Sequence, residues 1–241
     1  MSTTNHFTSS WHTQDPRWTA VDTYTLSHLH PSTHPTSAAL NFALENSNKN
    51  GLPDISTPPT FGKFLALQTI FGKVQNFLEV GTLGGYSCIW IALLNPAIHI
   101  TTVEVNPHNF KVAQENIEHA GVAGRVEVIL GGGLDVLQQL RSEVDAGTRP
   151  RFGMTFIDAD KLNNWNYFDL AVSMSLQGAQ VYVDNVVFGG TLVDEKYQDG
   201  DGVIGARKVI EEAGKDGRME ACVVQIVGEK AWDGWLVGVV L

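Results

Sequence analysis

The chain has 241 residues and a formal net charge of -10 at pH 7. Hydrophobic residues make up 43% of it and charged residues 17%, which excludes a mostly disordered chain and fits a single α/β domain. The negative charge argues against a nucleic-acid partner, because phosphate contacts need clustered lysine and arginine.

The start of the chain lacks the features of a targeting segment. Residues 1–18 are polar and lack the basic-then-apolar order of a signal peptide, and no apolar run approaches the length of a membrane span. Cys88 and Cys222 lie in apolar segments and are expected to be buried free thiols. We therefore expect a cytoplasmic protein without a membrane partner.

The first 55 residues differ in composition from the rest. Serine, threonine, histidine, asparagine and proline are frequent, with helical patterns at residues 21–29 and 37–44. We predict that residues 1–55 form an N-terminal helical arm that belongs to the same domain and covers it. The main domain is expected to span residues 56–241 and to open with a helix at residues 61–71.

From residue 76 onward, strand-like and helix-like segments alternate. The predicted strands are residues 76–80, 99–105, 125–130, 153–158 and 179–184. The predicted helices between them are residues 86–94, 107–119, 134–141 and 163–175. This order predicts an α/β fold with a doubly wound, mostly parallel sheet, and strand-like residues 220–227 and 235–240 predict a closing antiparallel hairpin. In such sheets the ligand lies beyond the carboxyl ends of the strands.

A glycine-rich turn follows the first of these strands, in the sequence Phe-Leu-Glu-Val-Gly-Thr-Leu-Gly-Gly-Tyr-Ser of residues 77–87. Glycine lets a backbone approach a bound cofactor closely. The spacing of Gly81, Gly84 and Gly85 does not give the dinucleotide fingerprint, which disfavours a nicotinamide dehydrogenase. Glu79 stands just before the turn, and a carboxylate there suits a cationic cofactor better than a phosphate.

Carboxylates also end the later strands. Glu104 ends the second strand, where an acid commonly accepts hydrogen bonds from ribose hydroxyls, although a helix-capping role is about equally plausible for it alone. Asp158 follows the fourth strand, and Asp184 and Asn185 follow the fifth. If these strands are neighbours, the three side chains form an oxygen-only site for Mg²⁺, Mn²⁺ or Ca²⁺. Lys161 is then either an ion-pair partner or a base for a hydroxyl proton.

Three of these motifs, in this order and spacing, resemble the cation-dependent S-adenosylmethionine O-methyltransferases. They are Leu-Glu-Val-Gly-Thr-Leu-Gly-Gly-Tyr-Ser at residues 78–87, Phe-Ile-Asp-Ala-Asp-Lys at 156–161 and Val-Asp-Asn at 183–185. That family includes the caffeoyl-CoA and catechol O-methyltransferases. The resemblance implies a Rossmann-like class I methyltransferase fold with a seven-stranded sheet.

The resemblance also implies roles for single residues. Asp158, Asp184 and Asn185 would hold the metal, and Lys161 would be the catalytic base beside Asp158. The cofactor-binding residues would be Thr57, Glu79, Gly81, Thr82, Ser87, Glu104, Gly133, Asp158 and Asp160.

The implied reaction moves a methyl group from S-adenosylmethionine to a hydroxyl of a small aromatic acceptor with vicinal hydroxyls. The family further implies a homodimer and an N-terminal arm that shapes the acceptor pocket. Two alternatives stay open from the residues alone. One is a metal-independent methyltransferase of the same fold, and the other is a cofactor-binding domain without catalysis.

Overall fold

The computed structural model describes residues 15–197 and 200–241, so the predicted arm before residue 15 lies outside the described residues. One seven-stranded sheet organises this part of the chain, in the order β3-β2-β1-β4-β5-β7-β6. The five strands from β3 to β5 are parallel, whereas β7 is antiparallel to both of its neighbours. The strands are β1 (Asn76–Val80), β2 (His99–Glu104), β3 (Val126–Leu130), β4 (Phe152–Ile157), β5 (Ser175–Val183), β6 (Met219–Val227) and β7 (Trp232–Val240). The predicted fold class is confirmed.

Helices cover both faces of the sheet. Across the described residues they are α1 (Pro16–Leu29), α2 (Ser37–Lys49), α3 (Pro59–Phe71), α4 (Tyr86–Leu94), α5 (Pro107–His119), α6 (Gly133–Asp145), α7 (Asn164–Ser173) and α8 (Asp201–Ala213). One apolar core joins α6, α7 and α8 to the face of the sheet that carries Leu78 and Val181. A second core joins the helices α2, α3, α4 and α5 to the opposite face of the sheet, which carries Phe77 and Phe156. Such a three-layer arrangement buries a parallel sheet on both sides.

The described part of the N-terminal arm packs in two different ways. The helix α2 buries Leu40 and Ala43 in the second core, against α4 and α5, whereas α1 contributes no fully buried side chain. A carboxylate oxygen of Asp22 on α1 accepts the backbone N–H of Glu229, 3.0 Å away, in the turn between β6 and β7. The arm therefore reaches the β6–β7 hairpin.

Several sequence predictions were incomplete. The helix α8 was missed, although Val203, Ala206 and Val209 face the core at helical spacing. The strand β5 starts at Ser175, in residues that were assigned to the preceding helix or to no element, and its pairing with β4 is irregular there. The prediction that both cysteines are buried was wrong for Cys222, which is exposed on the edge strand β6.

No helix within residues 15–197 and 200–241 combines the length and apolarity that crossing a bilayer requires.

A buried carboxyl group links β1 to its neighbours. The Glu79 side chain is fully buried and accepts hydrogen bonds from the hydroxyls of Ser87 on α4 and Thr102 on β2, the latter at 2.6 Å. The Thr102 hydroxyl lies 2.6 Å from the Thr82 hydroxyl in the turn after β1. Burial raises the pKa of Glu79 to about 7, the two hydroxyl donors oppose that rise, and the charges of Asp158 and Glu104 add to it.

The first prediction concerns the contact between α8 and the turn that carries Lys161. A Cβ at Gly205 would lie 1.8 Å from the backbone oxygen of Lys161, so Gly205→Ala must push the two segments apart. We expect the free energy of unfolding to fall by about 1–3 kcal/mol in urea denaturation. Gly217→Ala is the control, because a Cβ there meets nothing within 4 Å, and it should stay near wild type. Equal stability of the two variants would contradict the contact.

The second prediction concerns Glu79. Its pKa in the folded chain, about 7, lies above the ordinary value of 4.5. Between these two pH values the folded state therefore keeps a proton on Glu79 that the unfolded state has lost. Stability is therefore lost as the pH rises through this window, by roughly 3 kcal/mol at most. Glu79→Gln keeps hydrogen-bonding groups for Ser87 and Thr102 but cannot ionise, so its unfolding free energy should fall less between about pH 4.5 and pH 7.

The measurement is urea unfolding across this pH range. Glu118→Gln removes an exposed carboxylate on α5 and should keep the wild-type pH dependence. An unchanged pH dependence in Glu79→Gln would show that this buried group does not titrate in the window.

Candidate active site

A cavity of about 1040 Å³ opens at the carboxyl ends of β1, β2, β4 and β5. The parallel order places these four ends side by side, as the alternating pattern predicted. Thr57, in the loop before α3, lines one wall, and Gly133, at the start of α6, lines another. Every residue predicted to bind the cofactor lines this cavity except Glu79, whose side chain lies behind the wall that Ser87 forms. Direct contact of Glu79 with a cofactor thus stays a prediction, and its visible role is to orient the Ser87 hydroxyl.

The glycine-rich turn after β1 lies against the end of β4. Gly81 has a φ of 102°, and a Cβ there would lie 2.1 Å from the backbone oxygen of Asp158. A side chain is therefore excluded at this position for two reasons, the backbone conformation and the lack of space. This close approach places the turn beside the first of the predicted metal ligands.

Glu104 is held at the end of β2 by two backbone groups. One carboxylate oxygen accepts the N–H of Leu83 and the other accepts the N–H of Asn106, each at 2.8 Å. A carboxylate oxygen has a second lone pair, so both oxygens can still accept a hydroxyl from the cavity. The helix-capping alternative does not describe this geometry, because the side chain of Asn106 caps α5 instead.

A tyrosine that the sequence analysis did not single out completes the wall near Gly133. The Tyr167 hydroxyl donates a hydrogen bond to Asp160, and a Cβ at Gly133 would lie 2.7 Å from the Tyr167 ring. Burial and the neighbouring Asp160 raise the pKa of Tyr167 far above its usual range. The tyrosine therefore stays a neutral donor that orients Asp160 at the cavity.

The predicted metal ligands and the predicted base come together at the ends of β4 and β5. Lys161, in a short 3-10 turn after β4, places its Nζ 2.6 Å from Oδ1 of Asp158. Asp184 follows β5, and its Oδ1 accepts the indole N–H of Trp235 at 2.8 Å. Asn185 donates its side-chain N–H to Asp233 on β7 at 3.0 Å. All six of these residues line the cavity.

Charge is unevenly balanced in this group. Burial raises the pKa of Asp184, and the charges of Asp158 and Asp233 raise it further, while Lys161 opposes the rise. Burial alone would lower the pKa of Lys161, but Asp158, Asp184 and Asp233 outweigh it, so that pKa lies above its ordinary value. One ammonium thus faces three carboxyl groups, so the group favours the uptake of a further positive charge, as a proton or as a cation.

The two tryptophans near the hairpin have separate positions. Trp235 is 3% exposed, packs edge-on against Phe61 and Phe156, and also lines the cavity, so core packing and a cavity wall both describe it. Trp232 packs against Gly190, where a Cβ would lie 3.1 Å from the indole ring. The bond from Trp235 to Asp184 was not foreseen from the sequence.

No group of three or more histidine, cysteine, aspartate or glutamate side chains is arranged to hold a metal ion in residues 15–197 and 200–241. The predicted ligand set differs from such a group because it has two carboxylates and one amide.

Comparisons with known proteins agree with this geometry. A model of the O-methyltransferase family matches residues 32–230. The chain is 51% identical over 240 residues to O-methyltransferase imqG of Aspergillus flavus, covering 99% of this chain and 97% of that protein. It is 40% identical over 203 residues to a catechol O-methyltransferase of Mycobacterium tuberculosis, covering 84% of this chain and 88% of that protein.

A comparison with solved structures shows that the fold is similar as well. The O-methyltransferase from Bacillus cereus, in complex with SAH, matches with a TM-score of 0.87 and 37% identity over 94% of this chain and 99% of that chain. The fold, the family resemblance and the enzyme class predicted from the sequence are confirmed. The chain therefore belongs to the family of S-adenosylmethionine-dependent O-methyltransferases.

Proposed function

We propose that this enzyme transfers the methyl group of S-adenosylmethionine to a hydroxyl of a small aromatic acceptor with vicinal hydroxyls, with the help of a divalent cation. The observation that carries the proposal is the convergence of Asp158, Lys161, Asp184 and Asn185 on one cavity. The name of the Mycobacterium tuberculosis relative, a catechol O-methyltransferase, supports the acceptor type.

The cofactor is proposed to lie along the glycine-rich turn. Thr57 and Ser87 would hold its methionine end, Glu104 would accept the ribose hydroxyls, and the backbone at Gly133 would lie against adenine. The Bacillus cereus protein, which was solved with SAH, supports a cofactor of this type.

The cation is proposed to bind Asp158, Asp184 and Asn185. The donors fit a hard dication such as Mg²⁺, with Mn²⁺ or Ca²⁺ as alternatives, because all three offer oxygen. The crowding of three carboxyl groups around one ammonium fits it as well, because the raised pKa of Asp184 means that this group favours added positive charge. When bound, such a cation lowers the pKa of an acceptor hydroxyl that it contacts.

The protein's own residues carry the remaining chemistry. Lys161, held by Asp158, is the proposed base. Its pKa would fall beside a dication, and in the neutral amine form Lys161 takes the proton of the acceptor hydroxyl. The acceptor oxygen then attacks the methyl carbon of the sulfonium, so that a C–O bond forms while the C–S bond breaks and S-adenosylhomocysteine leaves. The cavity walls align the two reactants, which replaces a bimolecular encounter by an oriented one.

The third prediction tests this proposal with catechol and phenol as paired acceptors. Catechol should be methylated in the presence of Mg²⁺, and EDTA should abolish the reaction, while phenol should react far more slowly because it has one hydroxyl. Asp184→Asn should lower the rate at least about 10-fold, because it removes one charge from the proposed ligand set and even the outer partners of metal ligands contribute about 10–100-fold. Asp135→Asn, at an exposed carboxylate on α6, should keep wild-type activity. Full activity after rigorous removal of metal would instead favour a metal-independent methyltransferase of the same fold.

We further propose that the enzyme is a cytoplasmic homodimer, as the family resemblance implies. The helix α3 leaves Phe64, Leu67, Ile70 and Phe71 exposed along one side, and an apolar helix face of this kind is suited to meet a second copy.

The fourth prediction follows from that surface. Ile70→Glu should shift the mass measured by light scattering from a dimer to a monomer, because it buries a charge in the proposed contact. Val193→Glu, at a more exposed apolar residue away from α3, should leave the dimer intact. A wild-type monomer, or a dimer that Ile70→Glu does not affect, would contradict this surface.

A further inference from the structure

Asp233, the second residue of β7, ties down the turn that follows β5. Its Oδ1 accepts the backbone N–H groups of Val187 at 3.0 Å, Phe188 at 3.1 Å and Gly234 at 2.8 Å. Its Oδ2 accepts the side-chain N–H of Asn185 at 3.0 Å. One carboxylate thus receives four hydrogen bonds, three of them from the turn that begins with the proposed metal ligands.

The turn needs such support because its backbone is left-handed at two residues. Asn185 has a φ of 56°, which asparagine tolerates better than most residues, and Phe188 has a φ of 50°, which a bulky residue seldom adopts. Strained conformations of this kind persist where the surrounding structure fixes them, and they are common at functional sites. The bonds to Asp233 supply that support at both positions.

The bond to Oδ2 also determines which way the Asn185 amide faces. An ionised carboxylate accepts hydrogen bonds and cannot donate them, so the NH₂ group of Asn185 must be the part that faces Asp233. The carbonyl oxygen then occupies the other branch of the same planar amide. That branch is the one available to a ligand in the cavity that Asn185 lines.

We propose that Asp233 is a positioning residue that locks the Asn185 amide with its oxygen, and not its nitrogen, toward the divalent cation. This role rests on the metal dependence proposed above. Asp233 needs no contact with the cation or the acceptor for this purpose, since it acts through Asn185. Metal sites commonly use such outer partners to orient their ligands.

The fifth prediction concerns Asp233→Asn. The new side chain keeps an oxygen for the N–H groups of Val187, Phe188 and Gly234, but presents NH₂ to the NH₂ of Asn185. Two donors cannot bond, so the Asn185 amide turns over and presents nitrogen to the cation. We expect the affinity for Mn²⁺ to fall about 10–100-fold, measured on the free enzyme by the electron paramagnetic resonance signal of unbound Mn²⁺.

A double-mutant cycle separates orientation from the loss of one negative charge. Asp233→Asn is compared with wild type, and Asn185→Ala/Asp233→Asn is compared with Asn185→Ala. If Asp233 acts through the Asn185 amide, Asp233→Asn should change the affinity for Mn²⁺ by less than about two-fold in the Asn185→Ala background. A charge effect would persist at full size in the Asn185→Ala background and would overturn the positioning role.

A rescue variant guards against simple unfolding of Asp233→Asn. In Asn185→Asp/Asp233→Asn the donor and the acceptor are exchanged, so the pair can bond again and an oxygen faces the cavity. This variant should fold, as judged by circular dichroism, and should bind Mn²⁺ about as well as wild type. A folded rescue variant that does not bind Mn²⁺ would contradict the inference.

The outcomes for wild type and for Asp233→Asn are distinguishable. Wild-type enzyme that does not bind Mn²⁺ would overturn the proposed metal dependence and this role with it. Equal Mn²⁺ affinity of wild type and Asp233→Asn would overturn the positioning role alone.

Discussion

Three backbone hydrogen bonds continue the parallel sheet one residue past the ends of its strands. Gly81 donates to Val103 at 3.0 Å, Asp158 donates to Val80 at 2.9 Å, and Asp184 donates to Ile157 at 2.9 Å. Because these bonds extend the sheet register, the first residue after each strand has a fixed position next to its neighbour. The carboxylates of Asp158 and Asp184 meet for this reason, although more than twenty residues separate them in the chain.

That placement has an electrostatic cost which the rest of the site offsets. Carboxylates brought together at a partly buried edge repel each other, as the raised pKa of Asp184 reflects. Lys161 neutralises part of the charge, and the indole N–H of Trp235 donates to Asp184. A sheet that holds acids against their mutual repulsion is well suited to a ligand with positive charge, and both the sulfonium of the cofactor and a divalent cation have it.

Much of this could be predicted from the sequence, because the signals were local. The alternation of strands and helices predicted the parallel sheet, and the acids at the strand ends predicted the group of side chains at its edge. The helix α8 escaped prediction since Gly202 and Gly205 lower its helical propensity, and the structure explains both by close contacts, with Phe188 and with the backbone of Lys161. Cys222 was assigned to the core from its apolar neighbours, but β6 is an edge strand with one exposed side.

The supporting hydrogen bonds could not be predicted, because their partners are far apart in the chain. Thr102 and Tyr167 have no motif of their own, and only the folded sheet shows that they orient Glu79 and Asp160. Asp233 likewise lies in a recognisable hairpin segment, yet its bond to Asn185 depends on the pairing of β5 with β7. Residues proposed to react are thus easier to recognise in the sequence than the residues that orient them.

The contact at Gly205 gives α8 an influence that its own side chains do not reveal. The helix packs directly against the backbone of Lys161, so the position of this residue depends on the position of α8. A change that slides or tilts α8 therefore displaces Lys161 as well. Substitutions far along this helix can thus alter where Lys161 lies while the residues that line the cavity stay the same.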